Sequence, residues 1–167
     1  CGDHELADDL RGWLSRVAGD NNRFLHQMAE NALSNRPPLG IVRDFVVGKE
    51  HTLDLKMNGI TPFVDAARIF SLAAGVSQTS TIQRLRLSAA KLNIHVSEVD
   101  AWIDALLFIQ ILRLRHHDEI SEQGVSDDAL DNLIDPETLN ELDRRILKEA
   151  FRQARKLQAR LALEYHL

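Results

Sequence analysis

Ser97-Glu98-Val99-Asp100-Ala101-Trp102-Ile103-Asp104-Ala105-Leu106-Leu107-Phe108-Ile109-Gln110-Ile111-Leu112-Arg113-Leu114-Arg115 is the stretch that decides the fold class. Ser97 with Asp100 three residues on makes a capping-box-like start. Trp102, Ile103, Leu106, Phe108, Ile109 and Leu112 then recur at helical spacing. The strongly apolar run from Ala101 to Leu114 is interrupted by Asp104 and Gln110, and it falls short of the roughly 20 apolar residues of a membrane span. It therefore reads as a core helix. Being apolar nearly all round, it is expected in the middle of the fold.

Toward the C-terminus, the polar and acidic stretch from Gly124 to Asp131 reads as a mobile loop. Thr138-Leu139-Asn140-Glu141 reads as a second capping box. It opens a long helix carrying Leu142, Ile146, Ala150, Phe151, Ala154, Leu157 and Leu161 on one face. Toward the N-terminus, Ser80 or Thr81 caps a short helix with Ile82, Leu85 and Ala89. Thr61-Pro62 opens another, with Phe63, Val64, Ala67, Phe70, Ser71 and Ala74 as its inner stripe and Gly75 at its close.

Strand character appears once. Ile41-Val42-Arg43-Asp44-Phe45-Val46-Val47 is β-branched and aromatic, and Thr52-Leu53-Asp54-Leu55-Lys56-Met57 alternates apolar with polar. With Gly48-Lys49-Glu50-His51 as the turn, these predict a short hairpin near residues 41–57. Period two puts Leu53, Leu55 and Met57 on one face, and Asp54 and Lys56 on the other. Before it, Pro37-Pro38 must stop a helix that starts near Asn21 or Asn22. A first helix, capped by Asp3, shows Leu6, Leu10, Trp13, Leu14 and Val17 on one face. Trp13 and Trp102 both fall in apolar stripes and read as core. The fold class expected is mainly α, about six helices in a bundle-like array with one short hairpin, as a single domain over residues 1–167.

Composition bounds the function classes. Twenty Lys and Arg against 25 Asp and Glu leave a net charge of -5. That argues against a dedicated nucleic-acid or anionic-membrane binder and leaves room for a local basic patch. One cysteine allows no internal disulfide and no cysteine-based metal site. The acidic opening is unlike a secretory signal, so a cytoplasmic location is expected. The chain opens without Met at the entry to a helix, which reads as a piece of a longer protein.

Motifs for chemistry are few. No Gly-rich phosphate loop, nucleophile elbow or His-Glu-x-x-His motif is present. His116-His117-Asp118 is the one cluster of ligand-type residues. Adjacent histidines on a helix diverge by about 100°, and cations near a helix end complement the dipole, so packing explains them better than a metal. Asp8-Asp9 and Asp127-Asp128 are not the Asp-x-Asp of a strand face, so no catalytic metal centre is expected. In the hairpin, Arg43-Asp44 and Asp54-x-Lys56 place charges of both signs on two neighbouring strands, with Asp44 as a candidate cross-strand partner of Asp54 and Lys56, and Arg68 follows on the next helix. These charges read either as cross-strand pairing on a solvent face or as a platform for a phosphate or a partner domain. Arg144, Lys148, Arg152 and Arg155 on the last helix read first as a solvated face with i,i+4 pairs. Arg84-Leu85-Arg86 is similarly open.

Several segments together resemble a known family. They are Asn35-Arg36-Pro37-Pro38-Leu39-Gly40 running into Arg43-Asp44-Phe45-Val46; Leu53-Asp54-Leu55-Lys56 with Gly59, Pro62 and Asp65-Ala66-Ala67-Arg68; Thr81-x-x-Arg84-Leu85; Leu112-Arg113-Leu114-Arg115-His116; and Asp143-Arg144-Arg145-x-Leu147-Lys148-Glu149-Ala150-Phe151. In this order they look like the nucleotidyltransferase substrate-binding domain, a helical module of bacterial signalling proteins that often carry CBS pairs and a cyclic-nucleotide-binding domain. The resemblance implies a non-catalytic accessory domain that completes the cleft of a separate catalytic domain upstream in the same chain. Gly2-Asp3-x-x-Leu6-Ala7 looks like the segment after that domain's last catalytic strand. The resemblance makes Arg43, Asp54, Lys56 and Arg68 substrate- or phosphate-facing, with no catalytic or metal-binding residue here. No cofactor is expected in this stretch, any Mg2+ belonging to the parent's catalytic domain. The expected partners are that domain and a nucleotide or an acceptor protein. The competing reading is an interaction or homodimerisation module without a small ligand, built on the last helix and the apolar central helix.

Overall fold

A computed structural model describes residues 4–40, 45, 51–122 and 132–167. The described residues form six helices: α1 (His4–Gly19), α2 (Asn22–Ala32), α3 (Thr61–Ala73), α4 (Thr81–Lys91), α5 (Val96–Glu122) and α6 (Glu141–Tyr165). Two short strands, β1 (Leu53–Asp54) and β2 (Leu133–Ile134), pair antiparallel with Leu53 opposite Ile134. The mainly helical architecture expected from the sequence is the one observed. No helix among the described residues is long and apolar enough to cross a membrane.

Local chemistry sets most boundaries. Asn21 caps α2 by accepting the Phe24 N–H at 3.0 Å. Gly75, at φ +61°, ends α3 in the left-handed conformation that costs glycine little. Its N–H donates to the Leu72 carbonyl, and the next N–H, from Val76, reaches back to Ser71 at 2.8 Å. These two bonds satisfy carbonyls that would otherwise be orphaned at the helix end. Neither expected capping box supplies the cap. α6 is capped by Asn140, which accepts from the Asp143 N–H, while Thr138 donates its hydroxyl to the Asp135 carbonyl. α5 starts at Val96, so Ser97 lies inside the helix instead of capping it, and its hydroxyl meets His95 Nδ1 at 2.7 Å.

The hairpin reading needs correction in its second half. Only Leu53–Asp54 is strand. At Leu55 the chain turns into a π-helical segment, Leu55–Ile60, that leads directly into α3. Asp54 causes this by accepting the Met57 N–H at 2.8 Å, which caps the turn. Leu53 and Leu55 are buried as expected, but the helical turn swings Met57 outward. Asp54 and Lys56 consequently do not share a strand face. The strand partner of β1 is Leu133–Ile134, and His116 Nε2 meets the Leu133 carbonyl at 2.7 Å. Of the first expected strand, Phe45 makes an isolated antiparallel bridge with Leu39. The rest of 41–47, the Gly48–His51 turn up to residue 50, the Asp3 cap and the loop over residues 124–131 lie outside the described residues.

The middle of the bundle is α3 rather than α5. Its Ala66 and Ala67 let neighbours close in, and Phe63, Ile69, Phe70 and Ser71 are buried as well. α3 packs against α1, α2, α4, α6 and the π-helical turn. α5 buries Val99, Trp102, Ile103, Leu106, Ile109 and Leu112 along α6 and α4. Its opposite face, with Leu107, Ile111 and Leu114, is exposed. Gly59 marks the tightest approach: a Cβ there would lie 2.9 Å from Cγ2 of the fully buried Ile109.

The outward face of α1 departs most from expectation. Leu6, Leu10, Trp13, Leu14 and Val17 are 43–69% exposed. α1 turns a small-residue edge to the bundle instead: Ala18 is buried, and a Cβ on Gly19 would lie 3.2 Å from the Leu72 carbonyl oxygen. Trp13 is therefore a surface residue, while Trp102 is core.

Candidate anion-binding site

Arg84, near the N-terminus of α4, lies close enough to Arg68 of α3 and Arg11 of α1 to feel both of their charges. Arg84 lies in the first turn of α4, where its side chain folds back toward the helix start, as helical side chains do. Its Nε–H donates to the Gln78 carbonyl at 2.7 Å, which fixes the guanidinium over the turn. Arg68 comes from α3 and Arg11 from α1. Burial depresses the Arg84 pKa below the ordinary arginine value, and the charges of Arg68 and Arg11 depress it further.

The local helix start adds to this positive field. A cation in a first turn opposes the helix dipole. α4 has no acidic residue in its first turn, and Ser80 makes no side-chain capping bond. Its leading N–H groups thus point toward the same region as Arg84.

Two carboxylates partly balance the cluster. Arg68 Nη1 pairs with Asp65 at 3.1 Å, and Arg11 Nη1 pairs with Asp8 at 2.6 Å. Asp65 is partly buried, and that desolvation raises its pKa, with Arg68 pulling it back down. Among these described side chains, three cations meet two carboxylates. Guanidinium groups offer paired donors suited to phosphate or carboxylate oxygens, and an anion here would relieve the mutual repulsion.

The four residues expected from the sequence are not brought together. Arg68 sits in the cluster. Asp54 spends its carboxylate on the turn before α3. Lys56 is exposed on that turn, and its backbone carbonyl accepts from the Thr61 hydroxyl at 2.9 Å. No hydrogen bond or ion pair among the described residues joins either to Arg68. Arg43 lies outside the described residues. Sequence reasoning missed Arg84 and Arg11 as site residues. The signal for Arg84 was present, an arginine where a helix start favours an acid.

Other basic positions are spent on structure. On α6, Arg144 pairs with Glu137 at 2.6 Å, Arg145 with Glu141, and Arg152 with Glu149 at 2.8 Å. Lys148 stands 5.2 Å from the Phe45 ring centroid. Arg155 donates to the Leu39 and Pro37 carbonyls, and Gln158 donates to those of Ala32 and Asn35. These last two line a hollow of about 530 Å3 with Leu33, Arg36 and Leu167, but their donors are already engaged by the backbone. No group of three or more His, Cys, Asp or Glu side chains among the described residues is placed to hold a metal.

A search of curated proteins and of solved structures returned no match. A family model does match over residues 22–165, a span that takes in Arg68 and Arg84 and leaves α1 outside. Its description is "Putative nucleotidyltransferase substrate binding domain". The match covers well over half of the chain, so this protein belongs to that family.

Proposed function

We propose that the chain is a non-catalytic companion to a nucleotidyltransferase catalytic domain, and that Arg84, Arg68 and Arg11 hold the phosphates of its nucleotide. The observation that carries this reading is the convergence of Arg68 and Arg84, both inside the family match, over an uncapped helix start. Electrostatic clamping of this kind stabilises phosphate charge without making or breaking bonds. Lys56 and Arg43 enter the reading as cations for the side that meets the catalytic domain, and Asp54 as the cap that shapes the turn carrying Lys56. Mg2+, where the transfer uses it, would be held by that other domain.

Incubating the purified chain with each nucleoside triphosphate and Mg2+ tests the proposal. Saturable binding without pyrophosphate release is expected, and Arg84→Ala should weaken that binding about tenfold. Pyrophosphate release by the unaided chain would overturn the non-catalytic role. Equal affinity in Arg84→Ala would overturn the assignment of the clamp.

A second reading, an interaction module, rests on a different observation, the exposed apolar face of α1.

A further inference from the structure

The outward face of α1 has a repeat and a charge arrangement of its own. Leu6, Leu10, Trp13 and Val17 are spaced four, three and four residues apart, which is the alternation of a coiled-coil seam. Leu14 widens the seam on one flank. Asp9 and Arg16, seven residues apart, lie together on the other flank, and both are exposed. This face is turned away from the bundle, because α1 packs on α3 and α2 through its small-residue edge. Arg11, in the anion site, lies roughly a third of a turn round the helix from the seam, so the two surfaces do not compete.

We infer that α1 is a self-association surface, on which a second copy of this chain lays its own α1 antiparallel. In that register Leu10 meets Trp13 of the second copy, and Leu6 meets its Val17. The two-fold axis then repeats each contact. The flanking charges select this partner. An antiparallel arrangement brings Asp9 of each copy to Arg16 of the other, whereas a parallel one would set the Asp9–Arg16 flank of each copy against the apolar Leu14 flank of the other. Covering the seam removes on the order of 500 Å2 from each copy, close to the lower limit for a specific interface. The dimer is therefore a weak one that assembles with concentration.

Sedimentation velocity of the chain from about 5 to 300 µM reads the outcome, given an interface of this size. A monomer–dimer equilibrium within that range is expected. Leu10→Glu should leave a monomer throughout, with unchanged far-ultraviolet circular dichroism because Leu10 makes no core contact. Asp9→Arg should weaken the dimer roughly tenfold, and Asp9→Arg with Arg16→Asp should recover it to within about threefold. Trp13 gives a second readout. Its quenching by acrylamide should fall as the dimer forms, while the buried Trp102 contributes a constant inaccessible fraction. A wild-type monomer at the highest concentration would overturn the inference. So would a dimer indifferent to Leu10→Glu, or a charge reversal that fails to restore the Asp9→Arg loss.

Discussion

Arg84 shows how much one side chain can say when its position opposes local preference. In the first turn of α4 it opposes the dipole, and it is desolvated beside two other guanidiniums. Neither effect helps α4 fold, and both suit the anion-holding role proposed for this side chain. Asp65 is the built-in competitor for that anion, because it occupies Arg68. Asp65→Asn should therefore tighten tripolyphosphate binding several-fold, read by titration calorimetry. The same substitution removes a carboxylate whose pKa burial has raised, meaning that its charged form costs folding free energy. Asp65→Asn should accordingly be no less stable than wild type at neutral pH, and any advantage should shrink as the pH falls through the Asp65 pKa. Gly59 makes the opposite kind of statement. Gly59→Ala drives a methyl against Ile109 in a filled core and should cost about 1–3 kcal/mol in urea denaturation.

At the scale of elements, α6 acts as the strut that fixes the segment after α2. Arg155 and Gln158, three residues apart, together bind the carbonyls of Ala32, Asn35, Pro37 and Leu39. Gln158→Leu leaves the Ala32 and Asn35 acceptors without that partner and should cost about 1–3 kcal/mol in the same assay. The helices were legible in the sequence because each carries a 3.6-residue stripe, although α2 ends at Ala32, before the Pro37-Pro38 expected to stop it. Gly75 was placed correctly from its residue type alone, and Asn21–Asn22 marked the start of α2. The β1–β2 pairing was not legible. Leu53 and Ile134 are far apart in sequence, and two-residue strands carry no alternation to read. α1 was misread for another reason. An amphipathic pattern shows that a face is apolar, but not whether its own chain covers it. The central place of α3 was hidden similarly, since its alanines register weakly beside the large side chains of α5.

Over the whole molecule, the C-terminus of α6 closes against α2, where His26 Nδ1 meets the Tyr165 carbonyl at 3.0 Å. Burial, reinforced by Glu164, pushes the Tyr165 phenol up to about 12. The folded state thus keeps a proton that the unfolded state gives up from about pH 10. Stability should fall as pH rises between those values, and Tyr165→Phe should remove that part of the decline. Tyr165 is the chain's one tyrosine, so absorbance at the tyrosinate band follows this group alone. The family assignment was legible too, carried by ordered short motifs from Asn35 to Phe151. The clamp was only partly so. Arg68 was named, but Arg84 lies on the next helix and Arg11 far back on α1, and only the fold brings them near it. Titration of inorganic tripolyphosphate into the chain and into the Arg68→Ala/Arg84→Ala double variant tests the central claim most directly. The account predicts saturable, salt-sensitive binding to the chain and its disappearance in the double variant. Identical titrations for the two proteins would contradict it.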